Sequence, residues 1–318
     1  MNEKSPQDTP ADDPYLWLEE IEGARALEWV RARNAESLKV LEGDPRFAPI
    51  HADARAIHTA DDRIPYGQPR AGTVHGFWRD RDHVRGLLRR TSLASYRAPK
   101  TAWEVVLDLD ALAVAEGENW VYAGRAFLPP DRSRCLVFLS RGGGDAVVMR
   151  EFDLATKAFV DDGFALPEAK QSAAWLDPDT LLVQTGNGGG PLNTAGYPRT
   201  VRLWRRGTPI ADAPLVYEAP ETDALLGSHV EHRPDGTHAF ILRRPDFFHE
   251  QVFLVDRDGQ ATPCPCRTTS TSAGSSPAGC WRCCGRPGPS TARTCRPARR
   301  SRSTSPRRWL QRRRGPCG

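Results

Sequence analysis

From Pro263 to Gly318 the chain has no Asp, Glu, Lys or His, and no Val, Ile, Phe, Tyr or Met. A segment without branched aliphatics beyond one leucine cannot build a buried core. Without carboxylate or imidazole it cannot supply acid–base chemistry either. The preceding 262 residues lack other things. They contain a single cysteine, Cys135, which excludes a disulfide framework and leads us to expect a reducing, cytoplasmic location. Cys135 runs into Leu136-Val137-Phe138 and reads as a buried small hydrophobe rather than a nucleophile. No run approaches the ~18 consecutive apolar residues of a membrane span, so no membrane partner is expected. The N-terminus, Met1-Asn2-Glu3-Lys4-Ser5-Pro6, has no apolar signal core.

Charge divides at the same place. The whole chain carries 44 Lys and Arg against 40 Asp and Glu, a net +4. Thirteen of those arginines lie beyond residue 262; without them 31 basic residues face 40 acidic ones, so residues 1–262 carry −9. The basic pI is a property of the tail and does not mark the body as a nucleic-acid binder.

Residues 1–13 read as a disordered lead and 14–64 as an N-terminal helical segment. Leu27, Val30, Asn34, Leu38 and Leu41 share one helix face, and Gly43 stops the helix. Asn34 on that stripe suggests a partner surface rather than a sealed core. Over 65–262 the texture becomes short apolar runs between turns. Strands are predicted at Trp103–Leu109, Leu136–Ser140, Val147–Phe152, Leu181–Thr185, Val201–Trp204, Ala239–Leu242 and Val252–Val255. Turn signals recur at Pro130-Asp131, Pro178-Asp179 and Pro234-Asp235-Gly236, offset by 48 and 56 residues. Strands ending in Asp108, Asp153 and Asp256 suggest the same repeat. A period of ~50 residues with about four strands per unit points to propeller blades; a β-sandwich is the competing architecture. The expected fold is mainly β: a partial β-propeller of about four blades after a short helical segment, with a disordered Arg/Cys/Pro/Ser-rich tail over 263–318.

Several segments resemble the prolyl oligopeptidase family of serine peptidases. They are Asp12-Asp13-Pro14-Tyr15-Leu16-Trp17-Leu18-Glu19-Glu20, the helix through Ala26-Leu27-Glu28-Trp29-Val30, Phe77-Trp78-Arg79-Asp80 and Gly86-Leu87-Leu88-Arg89-Arg90-Thr91. Trp103-Glu104-Val105-Val106-Leu107-Asp108, Leu139-Ser140-Arg141-Gly142-Gly143 with Arg150-Glu151-Phe152-Asp153-Leu154, Gly196-Tyr197-Pro198-Arg199 and Trp204-Arg205-Arg206-Gly207 follow in order. The resemblance implies a seven-bladed propeller capping an α/β-hydrolase domain, an N-terminal helical segment packed on that domain, and serine-type hydrolysis of short peptides. The chain departs from the pattern where the chemistry should be. No Gly-x-Ser-x-Gly elbow occurs in the 318 residues, and such an elbow is what holds the nucleophile strained and exposed. No catalytic, cofactor-binding or metal-binding residue can therefore be assigned, and the chain is expected to be inactive. Ser140 and Ser228 read as structural serines in turns. Gly142-Gly143-Gly144 and Gly186–Gly190 precede no Gly-Lys-Ser/Thr and read as turns rather than phosphate cradles. His249-Glu250 lacks a second His, while Arg89-Arg90 and Arg243-Arg244 look like solvated strand edges.

Three readings of the tail compete. Cys264-Pro265-Cys266 and Cys280-Trp281-Arg282-Cys283-Cys284 could ligate zinc, but paired C-x-x-C knuckles are missing. Arg299-Arg300-Ser301-Arg302 and Arg312-Arg313-Arg314 could contact phosphates, giving a non-enzymatic propeller binding module with a basic, RNA-binding tail; adventitious rather than specific nucleic-acid binding is expected. The favoured reading is a frameshift in a GC-rich gene. Back-translation from two nucleotides into the Pro263 codon permits Val-Pro-Leu-Pro-Asp-Asp-Ile-Asp-Val-Arg-Gly-Phe-Phe, the strand-and-turn grammar of another blade.

Overall fold

The computed structural model describes residues 13–20, 22–60, 62–70, 72–187, 190–264 and 268–269. Of the segments expected to be disordered, 1–13 and 263–318, most lie outside the described residues, but Pro263 and Thr268–Thr269 belong to strands, so order runs past the expected boundary. The chain forms two compact units that meet in sequence at Trp120–Val121.

The first unit opens with a 3-10 turn, Leu16–Glu19, and two helices, α1 (Ala24–Glu42) and α2 (Phe47–His58). Ala, Leu, Glu and Arg dominate α1, all strong helix formers. It ends at Gly43, whose N–H reaches the Leu41 carbonyl from a right-handed rather than a left-handed conformation. Asp44 then accepts the N–H of Arg46 at 2.9 Å and turns the chain into α2. The predicted stripe is present and open: Leu27, Val30, Leu38 and Leu41 are 36–57% exposed, and Ala26 is the one buried residue of α1.

A four-stranded antiparallel sheet follows, ordered β1 (Gln68–Arg70), β2 (Thr73–Trp78), β3 (Leu87–Ser92) and β4 (Glu104–Asp108). Short helices α3 (Leu93–Tyr96) and α4 (Leu109–Glu116) flank β4. Ser92 caps α3 through Ser95 N–H, and Asp108 caps α4 through the N–H groups of Asp110 and Ala111. Gly117 closes α4 in the left-handed region, φ +67°. One carboxylate organises the β2–β3 connection. Asp80 accepts from Trp78 Nε1 at 2.7 Å, from the N–H groups of Asp82 and His83, and faces His83 Nδ1 at 2.9 Å. Burial would raise its pKa, but these donors hold it down to about 2.

The second unit contains three further sheets. β5 (Trp120–Phe127), whose first residue belongs to the first unit, pairs on through β6 (Arg134–Arg141), β7 (Val147–Asp153) and β8 (Ala158–Phe159), with β9 (Ala165–Ala169) also on β7. The next sheet runs β10 (Gln171–Asp177), β11 (Thr180–Thr185), β12 (Thr200–Arg205), β13 (Leu215–Glu218). The last runs β14 (Leu225–Arg233), β15 (Gly236–Arg244), β16 (His249–Val255), β17 (Ala261–Pro263), with β18 (Thr268–Thr269) extending the outer edge of β16. Every sheet follows chain order and none exchanges a strand with another, which is blade architecture rather than a sandwich. The fold is a partial β-propeller of four blades.

The three Pro-Asp turns occupy one slot, joining first to second strand in successive blades. The Asp-ending strands do not form the same series: Asp153 ends a third strand and Asp256 follows one directly, whereas Asp108 ends a fourth and caps a helix. The arginine pairs also need correcting. β3 and β15 are interior strands, paired on both sides, so Arg89-Arg90 and Arg243-Arg244 guard no edge.

Two apolar layers bind the blades of the second unit. Leu136, Met149, Phe164, Leu166, Trp175, Leu181 and Trp204 form one; Leu182, Val201, Leu226, Ile241, Phe253 and Val255 form the other. Side-chain bonds to main chain tie neighbouring blades across them. Trp175 Nε1 donates to Ala126 O at 3.0 Å, His232 Nε2 lies 2.9 Å from Trp175 O, and Gln184 Nε2 donates to Leu226 O at 2.7 Å. No helix among the described residues is long and apolar enough to cross a membrane.

Candidate functional site

Three polar side chains of the second unit meet at the loop edge formed by the β6–β7, β9–β10 and β11–β12 connections. Gly142 and Gly143 take φ +69° and +89° in the β6–β7 hairpin, which only glycine does without strain. Ser140 Oγ donates to Gly144 O at 2.8 Å and closes this turn. Gly190 has a different reason to be glycine: a Cβ there would stand 2.7 Å from Thr185 O. Beyond it, Asn193 folds the long β11–β12 connection around itself. Its Oδ1 accepts the N–H groups of Ala195 and Tyr197, and its Nδ2 donates to Asp223 O at 3.0 Å, reaching the next blade.

The residues so placed are Asp145, Lys170 and Tyr197. Lys170 Nζ lies 3.9 Å from the Tyr197 ring centroid and 3.9 Å from Asp145 Oδ2, and Tyr197 donates its hydroxyl to Asp145 at 3.3 Å. Cation, ring and carboxylate satisfy one another at a partly solvated surface. Such a patch can hold a polar chain; it has no activated nucleophile. Thr237 Oγ1 lies 3.1 Å from His232 Nδ1, a hydroxyl–imidazole pair. Because His232 Nε2 faces the Trp175 carbonyl, it carries the proton and the pair ties a hairpin to the neighbouring blade. Ser228 lies within β14 rather than in a turn. His249 faces Asp246, at 2.8 Å, rather than a metal site, and no cluster of three or more His, Cys, Asp or Glu among the described residues is placed to hold a metal ion.

Cys135 sits on β6, 2% exposed, and burial pushes its thiol up to about 12. The thiol should resist iodoacetamide at pH 8 in the native chain and react on unfolding. Peptide mapping of the alkylated protein, which separates Cys135 from the seven tail cysteines, checks this; native-state labelling at Cys135 would contradict the burial.

The deepest charged group stood out in sequence only as part of a segment that resembles the family. Glu151 on β7, its side chain fully buried, accepts Arg206 Nη1 at 2.8 Å and Nη2 at 3.1 Å, the Phe164 N–H at 2.8 Å and Arg134 Nη1 at 3.2 Å. Arg206, just past β12, also caps Pro178 O and Asp179. This clamp joins two blades. A lone carboxylate inside the apolar run Val147–Phe152 was the available signal, but its partner stands 55 residues away.

The comparisons agree with this architecture. Residues 2–262 match the family model described as prolyl oligopeptidase, N-terminal beta-propeller domain. An uncharacterized peptidase of Sinorhizobium fredii is 37% identical over 270 residues, 83% of this chain and 37% of that protein. One from Rickettsia prowazekii is 30% identical over 254 residues, 76% of this chain and 35% of that protein. Among solved structures, a post-proline cleaving enzyme from Rickettsia typhi superposes with TM-score 0.73 at 28% identity, over 80% of this chain and 39% of that one. Oligopeptidase B from Leishmania major shares the fold, at TM-score 0.61 and 14% identity over 81% of this chain and 35% of that one. The chain thus spans little more than a third of the relatives it matches. With blades, helices and family model coinciding over the same residues, the chain belongs to the prolyl oligopeptidase family, and what it carries is that family's N-terminal β-propeller region.

Proposed function

We propose that this chain is the lid portion of a serine-type oligopeptidase acting on short peptides, in a form that carries no nucleophile and does not hydrolyse them. The observation that carries this reading is the pairing of a family match over residues 2–262 with the lack of any Gly-x-Ser-x-Gly in the 318 residues. In this reading the codons from Pro263 onward are translated out of frame, and the composition break one residue after the matched span supports it. The open stripe of Leu27, Val30, Leu38 and Leu41 on α1 would be the face that a hydrolase domain covers.

The expected result for the purified chain is no turnover of a proline-containing fluorogenic peptide and no covalent labelling by a fluorophosphonate. Labelling at any serine would sink the proposal. The gene read across the codons for Asp258–Cys266 tests the frame separately. A single-nucleotide restoration that opens a downstream Gly-x-Ser-x-Gly, and brings turnover, is expected. An uninterrupted frame encoding the arginine-rich tail in independent isolates would refute the frameshift.

A further inference from the structure

Adjacent arginines on β3 have opposite surroundings. Arg90 is paired within its own sheet, its Nε 2.7 Å and Nη2 3.1 Å from the Glu104 carboxylate. Arg89, on the other face, makes no ion pair or side-chain hydrogen bond among the described residues, although the Asp80 carboxylate acts on it through space, and its Nε is buried. Its guanidinium carbon instead lies 4.1 Å from the ring centroid of Trp78 and 4.3 Å from that of Trp103. A buried guanidinium donor without an acceptor is costly, and burial lowers the Arg89 pKa.

The two indoles are held independently of the arginine. Trp78 is fixed by its Nε1 bond to Asp80. Trp103 meets Tyr96 edge-on at 5.9 Å, and Tyr96 is anchored by its hydroxyl to Pro65 O at 3.1 Å. Gly76, which pairs with Arg89 across β2–β3, lies beneath this layer: a Cβ there would stand 3.1 Å from Tyr66 O and 3.4 Å from the Trp103 indole. On the other side Arg89 pairs with Val105, which is 43% exposed, while Val74, Leu87 and Thr91 on the same face are buried, so the cluster opens at its β4 side. Indole faces hold the cation in place, as cation–π contacts do, and with Nε buried the Nη end is what is left for a ligand.

We propose that Trp78, Arg89 and Trp103 form a preorganised binding site for a carboxylate. A guanidinium fork matches a carboxylate with two parallel hydrogen bonds. With one cation and no second positive group in contact, the site suits a monoanion rather than a phosphate dianion, and the indoles provide apolar walls for the organic group that bears it. The carboxylate can come from the C-terminus of a peptide or from an Asp or Glu side chain of a polypeptide. The site does not depend on whether the chain is catalytic.

Tryptophan emission of the full chain is titrated with three probes: an acetylated tripeptide with a free C-terminus, an acetylated and amidated tripeptide containing Glu, and an amidated neutral tripeptide. A saturable response to at least one carboxylate probe and none to the neutral one is expected, and the responding probe identifies the source. In Arg89→Met, which keeps the apolar stem, binding should weaken about tenfold or more, the loss of a charge-assisted bidentate pair. Arg89→Lys keeps the charge without the fork and should bind several-fold more weakly; it decides the matter if circular dichroism shows that the Met variant does not fold. No response to either carboxylate, an equal response to the neutral peptide, or unchanged affinity in the folded variants would overturn the site.

Discussion

Glu151→Ala is expected to destabilise the second unit by about 3–5 kcal/mol, the range for removing one partner of a buried ion pair. The alanine leaves the Phe164 N–H and the inner donors of Arg206 without an acceptor, inside a layer that also holds Phe164 and Trp175. Arg134 keeps a second carboxylate, Asp153, at 3.7 Å, so the loss centres on Arg206. The acid dependence follows from the same contacts. Burial pushes the Glu151 carboxyl up, but the bonds from Arg206, Phe164 and Arg134 outweigh it and hold the pKa below the ordinary 4.5. A lowered folded pKa means that its contribution is present above about pH 4.5 and is lost as pH falls through the folded value. Urea midpoints at pH 7 and pH 4 for wild type and Glu151→Gln check this. The glutamine variant should be weaker at pH 7 and lose less on acidification; an unchanged pH 7 midpoint would count against the clamp.

Trp175→Ala should cost about 3–5 kcal/mol through the cavity it opens. A further 1–3 kcal/mol or so comes from leaving the Ala126 carbonyl unpaired in the wall between blades. The ring stands edge-on to Phe164 at 5.6 Å, and Phe164 in turn meets Trp204 at 4.9 Å, so one deletion loosens an aromatic column shared by two sheets. Trp175→Phe separates the contributions, because it keeps most of the packing and loses the hydrogen bond. A melting temperature lowered by about 10 °C or more is expected for the alanine variant, with a smaller drop for phenylalanine. Equal effects would show that the bond to Ala126 dominates.

What could be read in advance follows from how local each signal is. The Pro-Asp turns announced the blade repeat because a hairpin is specified by its own residues, and the strands at Leu136–Ser140 and Leu181–Thr185 stood out because they are buried on both faces. The innermost strands β5, β10 and β14 were missed. Their sequences, such as Ala123-Gly124-Arg125, Ser172-Ala173-Ala174 and Gly227-Ser228-His229, are small or polar because these strands lie at the unpaired inner edge of each sheet and have less apolar surface to cover. Arg89 and Arg90 looked alike because strand alternation, which sends one to Glu104 and the other to two indoles, is invisible until the register is fixed. Glu151 and Arg206 are paired only through the contact of two blades. At the Asp145–Lys170–Tyr197 edge, only the Gly-Tyr-Pro-Arg segment was conspicuous.

Because strand order follows chain order in all four sheets, each hydrogen-bond ladder closes within the stretch that opens it. During synthesis the third sheet is complete once Glu218 has emerged, and the fourth lacks only its outer strands by Val255. At roughly 5–20 residues per second, the ribosome spends several seconds on the intervening codons, long compared with the microseconds in which a hairpin forms. A nascent chain therefore presents finished blades to chaperones and proteases before any codon past Pro263 is translated, so the fate of the body in the cell is set ahead of its arginine-rich end.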